Sequence, residues 1–512
     1  MRLNESTQLL IRRVSCFCRQ YLPTTHAFWA GPTWDMAEDL TDDGLRRKYD
    51  KLLSLSNEIE EKQKRDNTTL SQVVFAELLR FIHEQILIHE KENPYITDAT
   101  AYLKLSSFSL LPPYLCSILQ NCSSNDLNLM VNVQIEKCLK WFSICEERVQ
   151  NSHVLFANSD ISVAKKIILS LQKEPFSKAG SSKILQKKLS EFAKVRPREI
   201  SRAGVSINIK EYIHEIIGFR SSIDKLFENL QDRLKVEISK LMETSRKKTT
   251  SPRNLQINSD TYLKLLQDVR ESTSMETLKN IGSNEKIIKM PSFMEPFGGE
   301  ALFLPGAIAQ LSEPDAILMF RDMPFQSSVS FTGDAYFLLI LAHELCPGHG
   351  EHYQRSLVSP LYELFQITRS PIGFEGWASF AEGRIATLDD KFHGLGKLID
   401  YRRIRRLFAA FKLTGRITLG ENESEKILQN LLKPIPSIYK NLFSSMDMGT
   451  CLNLLPYGIG ILETEKSLQM VAKKRGKQDI DVNCIEEYLQ YGPLIPSSIR
   501  NIFKDPRGKK LG

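Results

Sequence analysis

Apolar residues recur at three- and four-residue steps through most of the first half of the chain. In "SSIDKLFENLQDRLKVEISKL" they are Ile223, Leu226, Phe227, Leu230, Leu234, Ile238 and Leu241, one face of a long amphipathic helix. The same period predicts helices over 39–64, 70–92, 126–150 and 160–195, punctuated by "SLLPPYL" and "VRPREI". The polar stretch "SRKKTTSPRNLQINS" reads as a linker, and "TYLKLLQDVRE" after it as a short helix. The pattern then changes. "KMPSFMEPFGGEALFLPGAIAQLSEPDAILMFRDMPF" sets short apolar runs between Pro and Gly, as strands and turns do, and "DAILMF" is its best strand. Helical period returns at "GDAYFLLILAHEL" and holds to the C-terminus. The expected fold is mainly α with a small β-sheet at a cleft. Its expected parts are a helical region over 1–250, a connecting helical segment over 251–290 and a site-bearing region over 291–512.

Composition changes this picture little. The chain has 512 residues, 42% hydrophobic and 25% charged, with a formal net charge of +7. That is ordinary for a globular protein with a sizeable core. The small basic surplus is spread along the chain, so neither nucleic acid nor membrane is an expected partner. Nine cysteines without framework spacing fit a reducing, cytoplasmic setting. Cys16 and Cys18 read as core thiols. "AYFLLILA" is too short to span a bilayer. P-loop, G-x-S-x-G and dinucleotide-binding signatures are absent.

The chemistry gathers in "AHELCPGHGEH", residues 342–352, which holds three of the nine histidines. In a zinc-binding H-E-x-x-H helix the two histidines share a face. His343 and His349 are six apart, about 240° round an unbroken helix, and would point away from each other. Pro347 and Gly348 offer a remedy: a kink or two-residue bulge that returns His349 to the face of His343. "HEQILIH" at 83–89 has the same order without Pro or Gly, so His83 and His89 read as ordinary helix residues. Cys346 sits between the motif positions and reads as a packing thiol.

A catalytic zinc site usually has three protein ligands. The segment "FEGWASFAEGR" supplies Glu375 and Glu382, seven apart and on one helix face. One can bind metal while the other orients a ligand; the plainer alternative has Glu375 capping a helix and Trp377 filling core.

"HELCPGH" followed by "EGWASFAE" resembles the paired signature H-E-x-x-P-G-H and E-G-W-A-x-x-A-E of the domain-of-unknown-function 885 family. That family in turn resembles gluzincins, zinc peptidases with two histidines and a distant glutamate. The resemblance covers roughly 290–512. It implies His343, His349 and Glu375 as zinc ligands, Glu344 as general base and Tyr457, in "PYGIG", as an oxyanion donor. It also implies Arg403 and Arg406 as holders of a substrate carboxylate. Two departures stand out. Gly350 replaces a second motif histidine, leaving His352 as a spare ligand, a substrate contact or a surface residue. Ala410–Thr414 stand where many relatives carry Asp-x-Gly-x-His.

The resemblance thus implies a zinc-dependent peptidase, and with the helical architecture it favours oligopeptides. The "DAILMF" strand is independently expected to pair with an extended substrate by strand addition. The alternatives are hydrolysis of another amide or ester, and a non-catalytic relative that binds a partner.

Overall fold

A computed structural model describes residues 3–24, 36–66, 68–120, 122–151, 158–194, 208–246, 285–297, 301–305, 316–321, 333–357, 359–385, 395–437, 440, 443 and 445–504. The helix expected at "TYLKLLQDVRE" lies outside these residues, as does the proposed linker beyond Ser245 and Arg246, which end a helix. What is described is mostly helix, with one small sheet.

The amphipathic segments fold as their periodicity predicts. All seven apolar positions named above are buried in the helix Ile223–Arg246. Phe227 stacks on Phe411 of the helix Gly396–Thr418, ring centroids 4.7 Å apart. Asp42–Arg65 and Thr69–Glu92 match two further expected helices. The first is capped by Thr41, whose hydroxyl accepts from the Gly44 amide at 3.1 Å, and carries acids in its first turn and bases in its last, as the helix dipole favours. The stretch 160–195 forms two helices, Asn158–Leu171 and Gly180–Phe192.

"SLLPPYL" does not interrupt its helix. Pro112 and Pro113 lie inside Ala99–Leu119. An interior proline costs about 3 kcal/mol; here Leu110, Leu111 and Leu115 beside the pair are fully buried, and that burial offsets the cost. The C-x-C pair also divides. Cys18 is buried and Cys16 exposed, because residues two apart on a helix face opposite ways.

The sheet has three strands: β1 (Glu285–Lys289), β2 (Ala301–Pro305) and β3 (Ala316–Phe320). Their order is β1-β3-β2, with β1 parallel and β2 antiparallel to β3. "DAILMF" is thus the central strand, hydrogen-bonded on both sides, and has no edge to offer a substrate. β2 is an edge strand of the described sheet. Alternation along β3 places the sheet between two helical layers. Ile317 and Met319 pack with Trp141, Phe142 and Leu189 of the N-terminal helices. Leu318 and, on β2, Phe303 pack on the opposite side with Phe337 and Leu341.

That second side belongs to a core shared by both ends of the chain. Leu10, Val14 and Phe17 of the helix Glu5–Tyr21 meet Trp377, Leu468, Tyr488 and Ile499 there. Buried Glu77 accepts a hydrogen bond from the Ile495 amide at 2.7 Å. The helix Gly333–Glu344 enters this interior with apolar residues on every side, Phe337 to Ala342 all being buried. A helix with no polar face belongs inside, and this one carries His343 at its end.

Candidate metal centre

The helix does not kink or bulge at Pro347; it stops. Its last helical bond runs from the Leu345 amide to the Leu341 carbonyl at 2.9 Å. A new helix, His349–Leu357, begins after Gly348. Gly348 makes the reversal possible, since a Cβ there would lie 1.8 Å from the carbonyl oxygen of His343. Trp377 holds the connection from behind. Its buried indole Nε1–H is shared between the carbonyl oxygens of Pro347 at 2.9 Å and Gly348 at 3.0 Å. Trp377 therefore does more than fill space. The two ends of the break place the His343 and His349 rings 4.8 Å apart at 77°.

Glu375 comes from the helix Pro371–Arg384, which Ser370 caps by accepting from the Gly373 amide at 3.2 Å. Glu375 is thus not the cap; it sits past the first turn and points at the histidines. Its approach depends on glycine. A Cβ on Gly376 would lie 2.7 Å from the backbone of Gly460, on the helix Met448–Lys474. This contact brings Tyr457, on that same helix, into the wall of the cleft that Glu375 also lines. Phe374 stacks on His349 with centroids 3.8 Å apart and planes 9° from parallel, fixing the ring.

Nε2 of His343 is 3.3 Å from Glu375 Oε2, and Nε2 of His349 is 3.4 Å from the same oxygen. All three donor atoms lie within 4.8 Å of one another. Four donors about 2.1 Å from a tetrahedral zinc ion stand about 3.4 Å apart, and two imidazoles with one carboxylate are an ordinary zinc set. The residues fit the ion.

On its other side, His343 Nδ1 lies 3.3 Å from Oε2 of Glu382. Glu382 is 1% exposed and receives Arg402 Nε at 2.5 Å and Arg406 Nη1 at 2.9 Å. A carboxylate behind a ligating histidine fixes its tautomer and orientation. Burial opposes charge on these groups, but partners prevail. Glu375 is pushed below the usual carboxylate range by His349 and His343 against the effect of burial. Glu382 is likewise lowered by Arg402 and Arg406. Burial, then the charges of Glu375 and Glu344, push the Tyr457 hydroxyl well above its usual value, so it stays protonated. Its ring stacks on His343 at 5.8 Å, with the Arg406 guanidinium 5.1 Å from the ring centroid.

These groups open on a cleft of about 690 Å³ lined by His343, Glu344, His349, Glu375, Tyr457 and the β2 residues Ala301, Leu302 and Phe303. Other expected residues fall elsewhere. His352 is fully buried, its ring 6.4 Å from Phe374 and 5.9 Å from Trp377. Burial lowers it to about 3, so it is a neutral core residue outside the donor cluster. Arg403 pairs with Glu237 at 3.0 Å and with Glu465, one position round the helix from the cleft. Arg406 does line the cleft. The sequence reading missed Arg402, although its i,i+4 spacing to Arg406 puts both on one face. Ala410, Phe411, Leu413 and Thr414 are buried in the core, and residues 410–414 take no part in lining the cleft. The control motif behaves as expected: on the unbroken helix Thr69–Glu92, His83 meets Ser56 and His89 stacks on Tyr49.

No family model and no curated protein matches the sequence. Solved structures do share the fold. A candidate lipoprotein of unknown function from Shewanella oneidensis aligns with TM-score 0.59 at 13% identity, covering 98% of this chain and 100% of that one. A candidate lipoprotein from Colwellia psychrerythraea aligns with TM-score 0.56 at 12% identity, covering 98% and 99%. The likeness is one of fold. Among the described residues, no helix is long and apolar enough to cross a membrane.

Proposed function

We propose that the protein is a zinc-dependent peptidase of gluzincin type, related to the domain-of-unknown-function 885 family, acting on short peptides. The observation that carries this reading is the meeting of two histidine Nε2 atoms at one oxygen of Glu375, in a cleft that Glu344 and Tyr457 also line. The paired motif of the sequence supports it too. A zinc ion held by His343, His349 and Glu375 would supply Lewis acidity and make water a nucleophile at neutral pH. The remaining work falls to the chain. Glu344, next to His343, takes the proton from the attacking water and passes it to the leaving amine. Tyr457, protonated, donates to the oxyanion that develops on the scissile carbonyl.

Substrate placement rests on β2, whose outer edge is unpaired among the described residues and suits strand addition. A cleft of about 690 Å³ is of small-ligand size, which favours oligopeptides over folded chains. A cytoplasmic location belongs to the same reading, since all nine cysteines are free as in reducing compartments. The test is turnover of a mixed peptide library by zinc-loaded protein beside Glu344→Gln. Cleavage that disappears in the variant, with zinc content unchanged, is expected. Equal cleavage by both would remove Glu344 from the mechanism. If esters or other amides turn over and peptides do not, the site serves a different hydrolase. No turnover of any of them by the zinc-loaded wild type would leave a binding protein.

A further inference from the structure

Four arginines line the cleft, Arg369, Arg402, Arg405 and Arg406, against two acids, Glu344 and Glu375. Three of the four are engaged by the protein. Arg402 and Arg406 are held by Glu382, and Arg369 donates to the Gln366 carbonyl at 3.2 Å. The fourth is different. Arg405 has no hydrogen bond or ion pair with any described residue, and it is only half-buried. Its neighbour Arg403 shows the alternative the fold allows: a guanidinium one helix face away, tied up by Glu237 and Glu465. A half-buried guanidinium that no described residue pairs, in a cationic cleft where those beside it are paired, is suited to receive an anion from solution.

Building on the peptidase reading, we propose that Arg405 anchors the free C-terminal carboxylate of a short peptide, making the enzyme one that recognises chain ends. A planar guanidinium meets a carboxylate through two parallel bonds, with direction as well as charge. Asn453 lines the same cleft and lies four residues, about one helical turn, before Tyr457. The chemistry is ordinary hydrolysis. Water adds its oxygen to the scissile carbonyl carbon, the C–N bond breaks, and the proton taken by Glu344 goes to the departing nitrogen.

The experiment compares N-acetylated tripeptides ending in a free acid with the same peptides ending in an amide. Both kcat/KM on zinc-loaded protein and calorimetric binding to metal-free protein are measured, for wild type, Arg405→Ala and Arg405→Lys. One lost charge-assisted bond corresponds to roughly tenfold to a hundredfold. The acid should be preferred by about that factor, the preference should fall to near one in Arg405→Ala, and Arg405→Lys should keep part of it. Acid and amide cleaved equally well by the wild type would overturn the inference and leave the peptidase reading standing. Acid peptides that bind in an Arg405-dependent way without being cleaved would do the reverse. Amides carrying an internal Asp or a phosphoserine that bind as well as the free acids would mean that the anion is a side chain, and would also overturn it. No binding and no cleavage would remove both.

Discussion

Trp377→Phe tests how the motif is held open. The substitution keeps an aromatic ring but deletes the Nε1–H that the Pro347 and Gly348 carbonyls share at 2.9 and 3.0 Å. Leaving buried carbonyl oxygens without their donor costs about 1–3 kcal/mol. The connection between the two helices is only four residues, 345–348, and His349 begins directly after it. Freed from Trp377, the connection samples other conformations, and binding metal must pay to restore the one in which His349 faces His343. At about 1.4 kcal/mol per tenfold, that cost corresponds to a drop in zinc affinity of roughly fivefold to a hundredfold. Loss of a group supporting a metal ligand typically costs 10–100-fold, the same range. The assay is competition with a chromophoric chelator, with circular dichroism confirming that helix content is retained. Wild-type zinc affinity in a folded Trp377→Phe protein would refute the claim that this bond positions His349.

Other substitutions separate the remaining roles. Gly348→Ala would put a Cβ 1.8 Å from the His343 carbonyl, where backbone cannot yield; zinc stoichiometry by elemental analysis should fall well below one in a protein that still folds. His352→Phe should leave zinc at about one per chain, because His352 is core and not ligand. Glu382→Gln takes the charge from between His343 and two arginines, and zinc affinity should fall by about 10–100-fold in the same competition assay. Arg403→Ala should lower thermal stability through loss of its pairing with Glu237 and Glu465, with little change in the KM of any peptide the protein cleaves.

What the sequence made legible was chiefly local. The helix Ile223–Arg246 follows from a periodicity that tertiary structure had only to bury. Proximity of His343, His349 and Glu375 was also within reach, because the Pro-Gly pair marks a break and the seven-residue step pairs Glu375 with Glu382. The form of the break was not. Periodicity describes helices, and nothing in it distinguishes a kinked helix from one that ends and restarts. The position of "DAILMF" escaped for a related reason: a central and an edge strand both read as short apolar runs, and only the pairing of β1 and β2 on either side decides. Of the two arginines expected at the site, Arg406 lines the cleft and Arg403 does not. Arg403 and Arg406 satisfy a plausible i,i+3 step, but the orientation of the helix is set by Phe227 stacking on Phe411, far away in sequence. That rotation turns Arg402 to Glu382 and leaves Arg405 in the cleft.

The most direct test of the account is the zinc content of protein purified without chelators, measured beside His349→Ala. The account predicts about one zinc per chain in the wild type and loss of that zinc in a variant that remains folded. A wild-type chain that takes up no zinc when supplied with it, or a His349→Ala chain that keeps its zinc, would contradict the central claim that the interrupted helix builds a metal site.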